Sequence, residues 1–514
     1  MDAMTQSDEH KRVIANISQA RSSRSHFAPL YNAFYELALP DRLRVDHMVA
    51  KKEPRPATDQ DSLFDNTLQQ AAHDFASDFA DEFTPSYRAW TKHEITNTLP
   101  KQYRKQVDEY IQERSEKVFS AIRESSFDEA AQDAYLEMAI APAAVYIPFS
   151  RAGQPINCEF VPVRELLILP GPFGNVGHRY REHVVLDADL DIVYPHCSWN
   201  HVKPSKKERQ NSKGCQVVVE GGYRLWDKPV ETWRWFVIHR NKVIKEYTHE
   251  GVGSCPLQVG RIFVSKPSAY GGGPGKLALS PSRALNEMAY LELKRAGKIV
   301  DPAGIFVDPA GVFNPDQGFD AGQWYEAGPG FEHVDLTPQG DIREVFLKRE
   351  DLRMSILRAM FQDKPYQRGD TPPSATQWAG EEAASQKRKA LPRSRIHSEW
   401  VLPIIQRFEW LLTKRGELEP LRLNNQVAEV RPVTPLSKAA DMEDAQLAIQ
   451  FLEVLRADGQ PLDATIDKAE TFSNLQKKFG DTVVKVLSQE ESEARAARIM
   501  AMATESRANV SVDT

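Results

Sequence analysis

The chain is poor in the features that mark secreted, membrane-spanning or metal-dependent proteins. Its 514 residues hold four cysteines, Cys158, Cys197, Cys215 and Cys255, all widely separated. That spacing reads as free thiols in a reducing compartment, not as a disulfide framework. No run approaches the ~18 apolar residues of a membrane span. The best candidate, residues 138–149, is broken by Pro142 and Pro148. Residues 1–6 carry no apolar signal core, so a cytosol-like space is expected. Thirteen histidines are scattered, none in H-E-x-x-H or beside a tight cysteine pair. His196-Cys197 lacks a second ligand pair at fixed spacing, and no G-x-S-x-G elbow occurs. Asp187, Asp189 and Asp191 could bind a metal, but a turn before a helix accounts for them better. An excess of positive charge is missing too, the net charge being −7. This removes tight nucleic-acid binding by the whole chain, although a protein can face DNA without gripping it.

What is present is an ordinary core-forming composition, 41% hydrophobic and 27% charged, with a length suited to about three or four domains. The pattern is helical from His10 to about Leu39. Phe64, Leu68, Ala72, Phe75, Phe79 and Phe83 recur at steps of three and four, and Pro85 closes that helix. Residues 103–124 and 127–141 read as further helices. Strand character begins at residues 156–169, and residues 181–199 read as a strand followed by a short helix. Between Cys215 and Val264, β-rich runs separated by Gly221-Gly222 and Arg240-Asn241 suggest a small antiparallel module.

Tyr270-Gly271-Gly272-Gly273-Pro274-Gly275-Lys276 invites comparison with a phosphate-binding loop. The pattern G-x-x-x-x-G-K-S/T fails twice, at Tyr270 and at Leu277. A sharp turn followed by a helix from Pro281 to about Ile299, with Ser280 as N-cap, explains more. Residues 301–330 suggest short strands, 349–361 a helix, and the region after Pro435 a series of helices.

The stretch from Phe361 to Lys414 organises the rest. Residues 362–374 hold Pro365, Pro372 and Pro373, which bar any helix or central strand. Residues 375–414 are rich in helix formers and would span roughly 55–60 Å as one helix. Pro392 and Pro403 inside them predict a kinked helix or a chain of shorter ones. The basic runs at 203–213 and 387–395 read as solvated faces.

The order of these pieces resembles the portal, or head-to-tail connector, proteins of short-tailed bacteriophages. The resemblance runs from about Arg21 to Met502. It rests on Phe64-Asp65-Asn66-Thr67, Ala71-Ala72, Pro85 and Trp90, and on Gly271–Gly275 followed by Leu285-Asn286-Glu287. Asp301-Pro302, Ala375-Thr376-Gln377 with Glu381, and Gly480 with Glu490-Glu491 complete it. Gly-Gly stands where the family often has Gly-Arg. Each motif is weak alone, but the ordered set is fairly specific.

The resemblance implies an α+β, mainly α, portal fold with wing, stem, clip and crown. Residues 1–185 would begin the wing, 186–214 form a first stem segment, 215–270 a β-rich clip and 271–300 a second stem helix. Residues 301–435 would return to the wing with a tunnel loop at 362–374, and 436–514 form the crown. The implied function is a non-enzymatic dodecameric ring at a capsid vertex, without cofactor or metal. Its partners would be its own copies, double-stranded DNA, the terminase large subunit, tail adaptors, and the major capsid protein and scaffold, with no membrane. The location would be the virion, after assembly in the host bacterial cytoplasm. Lys364 and Arg368 would face DNA in the channel, with Lys294, Arg295 and Lys298 on the stem as poorer candidates. Pro365, Gly369, Pro372 and Pro373 would stiffen and hinge the loop. Two alternatives stay open: a phosphoryl-transfer enzyme using Gly271–Lys276, and a helical adaptor or scaffold without a channel.

Overall fold

The computed structural model describes residues 3–45, 62–87, 89–95, 104–197, 199, 215–300, 304–307, 329–330, 332–335, 343–362, 388–390 and 392–419, with short pieces beyond. It is a mixed helix-and-sheet chain with two compact units. The larger joins residues 1–86 to 120–419, and the smaller joins 87–119 to 420–514.

A five-stranded antiparallel sheet anchors the larger unit. Its strands run in spatial sequence β4 (Leu166–Pro170), β5 (Val176–Leu186), β6 (Cys215–Leu225), β7 (Thr232–His239) and β8 (Lys242–Glu250). Helix α1 (Ala3–Ser25) lays Val13, Ile17 and Ala20 on one face, against Leu167, Tyr180, Phe236 and Ile238. The other face buries Val185, Val218 and Val237 under Leu190, Tyr194 and Trp199. Both faces are covered, so the central strands lose the in-out alternation of a half-exposed sheet. Arg240 and Asn241, with φ of 46° and 61°, make the tight β7–β8 turn that their sequence suggested.

The sheet differs from the expected module in two ways. Gly221 and Gly222 do not separate strands but lie within β6. A Cβ on Gly222 would stand 1.7 Å from the Arg234 carbonyl oxygen, so the neighbouring strand requires glycine there. The last strand, β9 (Leu257–Gly260), leaves this sheet and pairs with β2 (Ala143–Tyr146), which also pairs with β3 (Glu159–Val161). Alternation within one segment cannot say which distant strand supplies its backbone partners.

The helical core forms where α3 (Thr67–Phe83) crosses α5 (Phe127–Met138). Phe75, Phe79, Tyr135 and Trp400 make a chain of ring contacts there. Each such side chain contributes roughly 1.5–3 kcal/mol on burial. Asp65 accepts the Thr67 amide at 2.9 Å as α3 begins. Helix α2 (Ala28–Ala38) is tied to α5 by the Tyr35 hydroxyl, which donates to the buried Glu137 carboxylate. Burial pushes that carboxyl above its usual range, against the opposing pull of Arg42 and Tyr35.

Within described residues, the long kinked helix runs through 392–396, a π-helical turn at His397–Val401, and α9 (Leu402–Arg415). The wide turn directly precedes Pro403, whose ring would crowd the carbonyl four residues back. Gly416 closes α9 with φ +76°. In the smaller unit, β1 (Lys92–Ile95) pairs with Val430–Val433, and His93 meets the Ser115 hydroxyl at 2.7 Å. The helices expected after residue 435 lie outside the described residues, apart from 448–449 and 471.

Candidate functional site

Helix α7 (Gly275–Val300) and helix α8 (Arg343–Ala359) pack against each other. Their register follows from side-chain pairs. Glu292 meets Arg349, while Asn286 and Arg353 converge on Asp65. Numbers that fall on one helix as they rise on the other make the pair antiparallel. Asn286 also accepts the Phe64 amide at 2.7 Å and donates to the Ser62 carbonyl at 3.1 Å, pinning the start of α3 to α7. Between the helices in the chain, β10 (Gly304–Val307) and β11 (Glu332–Asp335) form an antiparallel pair.

Helix α7 starts earlier than the capping signals suggested, so Pro281 is its seventh residue and not its first. Burial decides this. Ala278, Ser282, Leu285 and Ala289 fall on one side at helical spacing and pack inward. That contact outweighs the one backbone bond a proline removes. On the opposite side, Arg283, Glu287, Tyr290 and Lys294 share a stripe. Lys294 is exposed, with its Nζ 4.5 Å from the Tyr290 ring centre, and Tyr290 in turn packs against Phe64. The bond to Tyr290 holds the Lys294 ammonium above its usual pKa. Arg295 is half-buried, off this stripe, and the Lys298 side chain lies outside the described residues.

Helix α8 ends in a Schellman-type closure. The Gln362 amide donates to Leu357 at 2.8 Å and the Phe361 amide to Arg358 at 3.3 Å, with Phe361 at φ +61°. A non-glycine residue there costs roughly 1–2 kcal/mol. The Gln362 side chain then donates to Asp78 at 3.0 Å, and Arg393 donates to Glu82 at 3.1 Å. Asp78 and Glu82 are one turn apart on α3, so both flanks of residues 363–387 are fastened to the same helix face. Lys364, Pro365, Arg368, Gly369, Pro372 and Pro373 lie outside the described residues. Sequence reasoning missed the two acidic anchors because it read α3 for its apolar stripe. The repeat Asp74, Asp78, Glu82 on the other face was the available signal.

The glycine turn before α7 is built for close approach, not for phosphate. The Gly273 and Gly275 amides donate to the Ile140 and Ala139 carbonyls at 2.9 and 2.8 Å, so neither is available to cradle an anion. None of Gly271, Gly272, Gly273 and Gly275 has positive φ. A Cβ on Gly273 would sit 2.1 Å from the Ala139 oxygen. Among the described residues, no three histidine, cysteine or carboxylate side chains are grouped to hold a metal. Asp189 stands at the start of the short helix Leu190–Val193, in the turn expected there.

No curated protein matches the sequence. Among solved structures, the virion of a native gene transfer agent particle is similar, with 12% identity and a TM-score of 0.38, over 81% of this chain and 91% of that one. The neck of an empty particle of this kind, computed with C6 symmetry, gives 11% and 0.37, over 81% and 92%. The neck of a native particle, computed with C12 symmetry, gives 11% and 0.36, over 81% and 91%. The family described as bacteriophage head to tail connecting protein matches residues 10–482. The chain belongs to that family of bacteriophage head-to-tail connecting proteins.

Proposed function

We infer that this chain is a portal subunit, one of about twelve in a closed ring whose axial channel passes double-stranded DNA during packaging and ejection. Family membership carries the reading. The ring stands at one vertex of the virion after assembly in the host cytoplasm. It contacts the capsid protein and scaffold, and docks the terminase large subunit and later the tail adaptors.

The geometry that best supports the reading is the antiparallel α7–α8 pair with β10 and β11 between its helices. We assign that pair to the stem, residues 301–342 to the clip, and 362–374 to the tunnel loop. This departs from the expectation of a first stem segment at 186–214 and a clip at 215–270. Strands β6, β7 and β8 share a sheet with β4 and β5 beneath α1, and β9 joins β2, which suits a wing better than a projecting clip. Residues 436–514 remain the crown in this assignment.

A channel must let phosphates slide. Few exposed cations, interleaved with carboxylates such as Glu287, avoid the counterion-release term that many contacts would bring. Negative-stain electron microscopy with native mass on the same sample tests the reading. Rings with a central hole and a mass of about twelve subunits are expected. A stable monomer that stays open in the presence of scaffold would overturn it and favour an adaptor without a channel.

A further inference from the structure

A cavity of about 170 Å³ lies within the larger unit, walled by β5, β6, β7 and the chain entering β9. Ser398 and Glu399 of the π turn close another side, which sets the cavity against the bend of the long helix. At about 30 Å³ per water, it holds roughly five waters or one small polyatomic ion with part of its hydration.

Two guanidinium groups line it. Arg179 rests 4.8 Å over the Trp233 ring and Arg224 4.4 Å over the Trp226 ring. Among the described residues, the hydrogen bonds of Arg179 leave from Nη1, to the Leu257 carbonyl at 2.9 Å, the Gln258 Oε1 at 3.2 Å and the Cys255 sulfur at 3.7 Å. Its Nε is buried without an acceptor. The Arg224 Nε is also buried without an acceptor, and among the described residues Arg224 forms no ion pair. Both Nε atoms are closed to water, so an ion in the cavity meets the terminal Nη groups, charged donors suited to oxyanion oxygens.

Charge points the same way. Glu399 is already neutralised, since Arg261 donates to both of its oxygens at 2.7 Å. Glu231 is held by the Trp233 indole at 2.7 Å and, among the described residues lining the cavity, is the one carboxylate left against Arg179 and Arg224. The cavity therefore carries a surplus positive charge beside unused donors and two tryptophan faces. Nothing in the channel reading uses it.

The geometry points to a binding site for a small oxyanion, of phosphate or carboxylate type, between Arg179 and Arg224. Calorimetric titration of the full-length protein with inorganic phosphate, and separately with acetate, tests it at ionic strength matched with chloride. Saturable heat with either ion is expected, and the ion that gives it identifies the oxyanion. Arg224→Met, which removes a charge that supports no other contact than its tryptophan, should weaken binding by about tenfold or more. Glu231→Gln keeps an acceptor for Trp233 but removes the opposing charge, so it should tighten binding. The opposite signs separate a site from general loss of structure. No saturable heat with either ion, or identical isotherms for wild type and both variants, would overturn the proposal.

Discussion

In the sheet-bearing part of the larger unit, Arg181, Arg261 and Arg407 are at most 3% exposed, and each spends its donors on fixed acceptors. Arg181 binds Glu159 and Glu220, and Arg261 binds Glu399. Among the described residues, Arg407 pairs with no carboxylate. It donates to the Ile147 carbonyl twice, at 2.7 and 3.1 Å, and to the Ser254 carbonyl at 2.7 Å. On the α7–α8 pair the pattern reverses. Arg283 and Lys294 project outward, while Glu292 pairs with Arg349 across the helix contact and Arg353 pairs with Asp65 before α3. The same residue types therefore lock distant segments together in one region and leave a sparse charged surface in the other. Desolvation explains the difference. A deeply buried guanidinium is costly unless fixed acceptors meet its donors, whereas an exposed ammonium keeps its hydration and can meet a moving partner.

The comparison breaks most visibly at Arg407. Arg407→Met keeps most of the side-chain volume but strands two buried carbonyls that hold α9 to the chain after β2 and before β9. At about 1–3 kcal/mol for each unsatisfied group, a total loss near 2–5 kcal/mol is expected. Denaturant midpoints measure it. A change below the scatter of exposed substitutions would mean that the lock is not structural.

The next effect is one of pH. Burial, helped by Arg181, pulls the His183 pKa down to about 3. The Arg181 Nε donates to its Nδ1 at 3.2 Å, and its Nε2 faces the Tyr194 hydroxyl at 3.1 Å. Below pH ~6.5 the unfolded chain takes up a proton at this site that the folded chain refuses, so stability falls as pH drops from there toward 3. His183→Gln can keep both hydrogen bonds without titrating. Its unfolding free energy, measured from pH 7 to 4, should fall less steeply by up to about 1.4 kcal/mol per pH unit. Parallel slopes for wild type and variant would contradict the assignment of a neutral, buried His183.

The smallest effect on folding is expected at Lys294, where function should carry the signal. Lys294→Ala should change stability by no more than about 0.5 kcal/mol and leave rings intact by microscopy. DNA retention or packaging should shift, more strongly when combined with Lys364→Ala and Arg368→Ala. Unchanged DNA handling in the triple variant would remove these cations from the channel wall, and loss of rings would place them at a subunit contact.

Much of the helical part was legible beforehand. The spacing from Leu68 to Phe83 produced α3, and residues 103–124 and 127–141 became Arg104–Arg123 and Phe127–Met138. Pro403 announced the break that the π turn His397–Val401 makes within the described residues. Strand partners were not legible, because backbone pairing leaves no mark on side-chain alternation. That is why β9 was grouped with the strands before it. Of the candidate site, the sequence singled out Lys294, but the anchors Asp78 and Glu82 needed the folded chain.

The sequence by itself determined where apolar stripes begin and end, where proline and glycine interrupt them, and the ordered motifs that mark a head-to-tail connector. Those are local properties of neighbouring residues. Tertiary structure alone decided that Pro281 lies inside a helix, that Gly222 lies inside a strand, and that Arg179 and Arg224 share a cavity. Each of these depends on atoms far apart in the chain, whose approach replaces a local preference with a contact worth more.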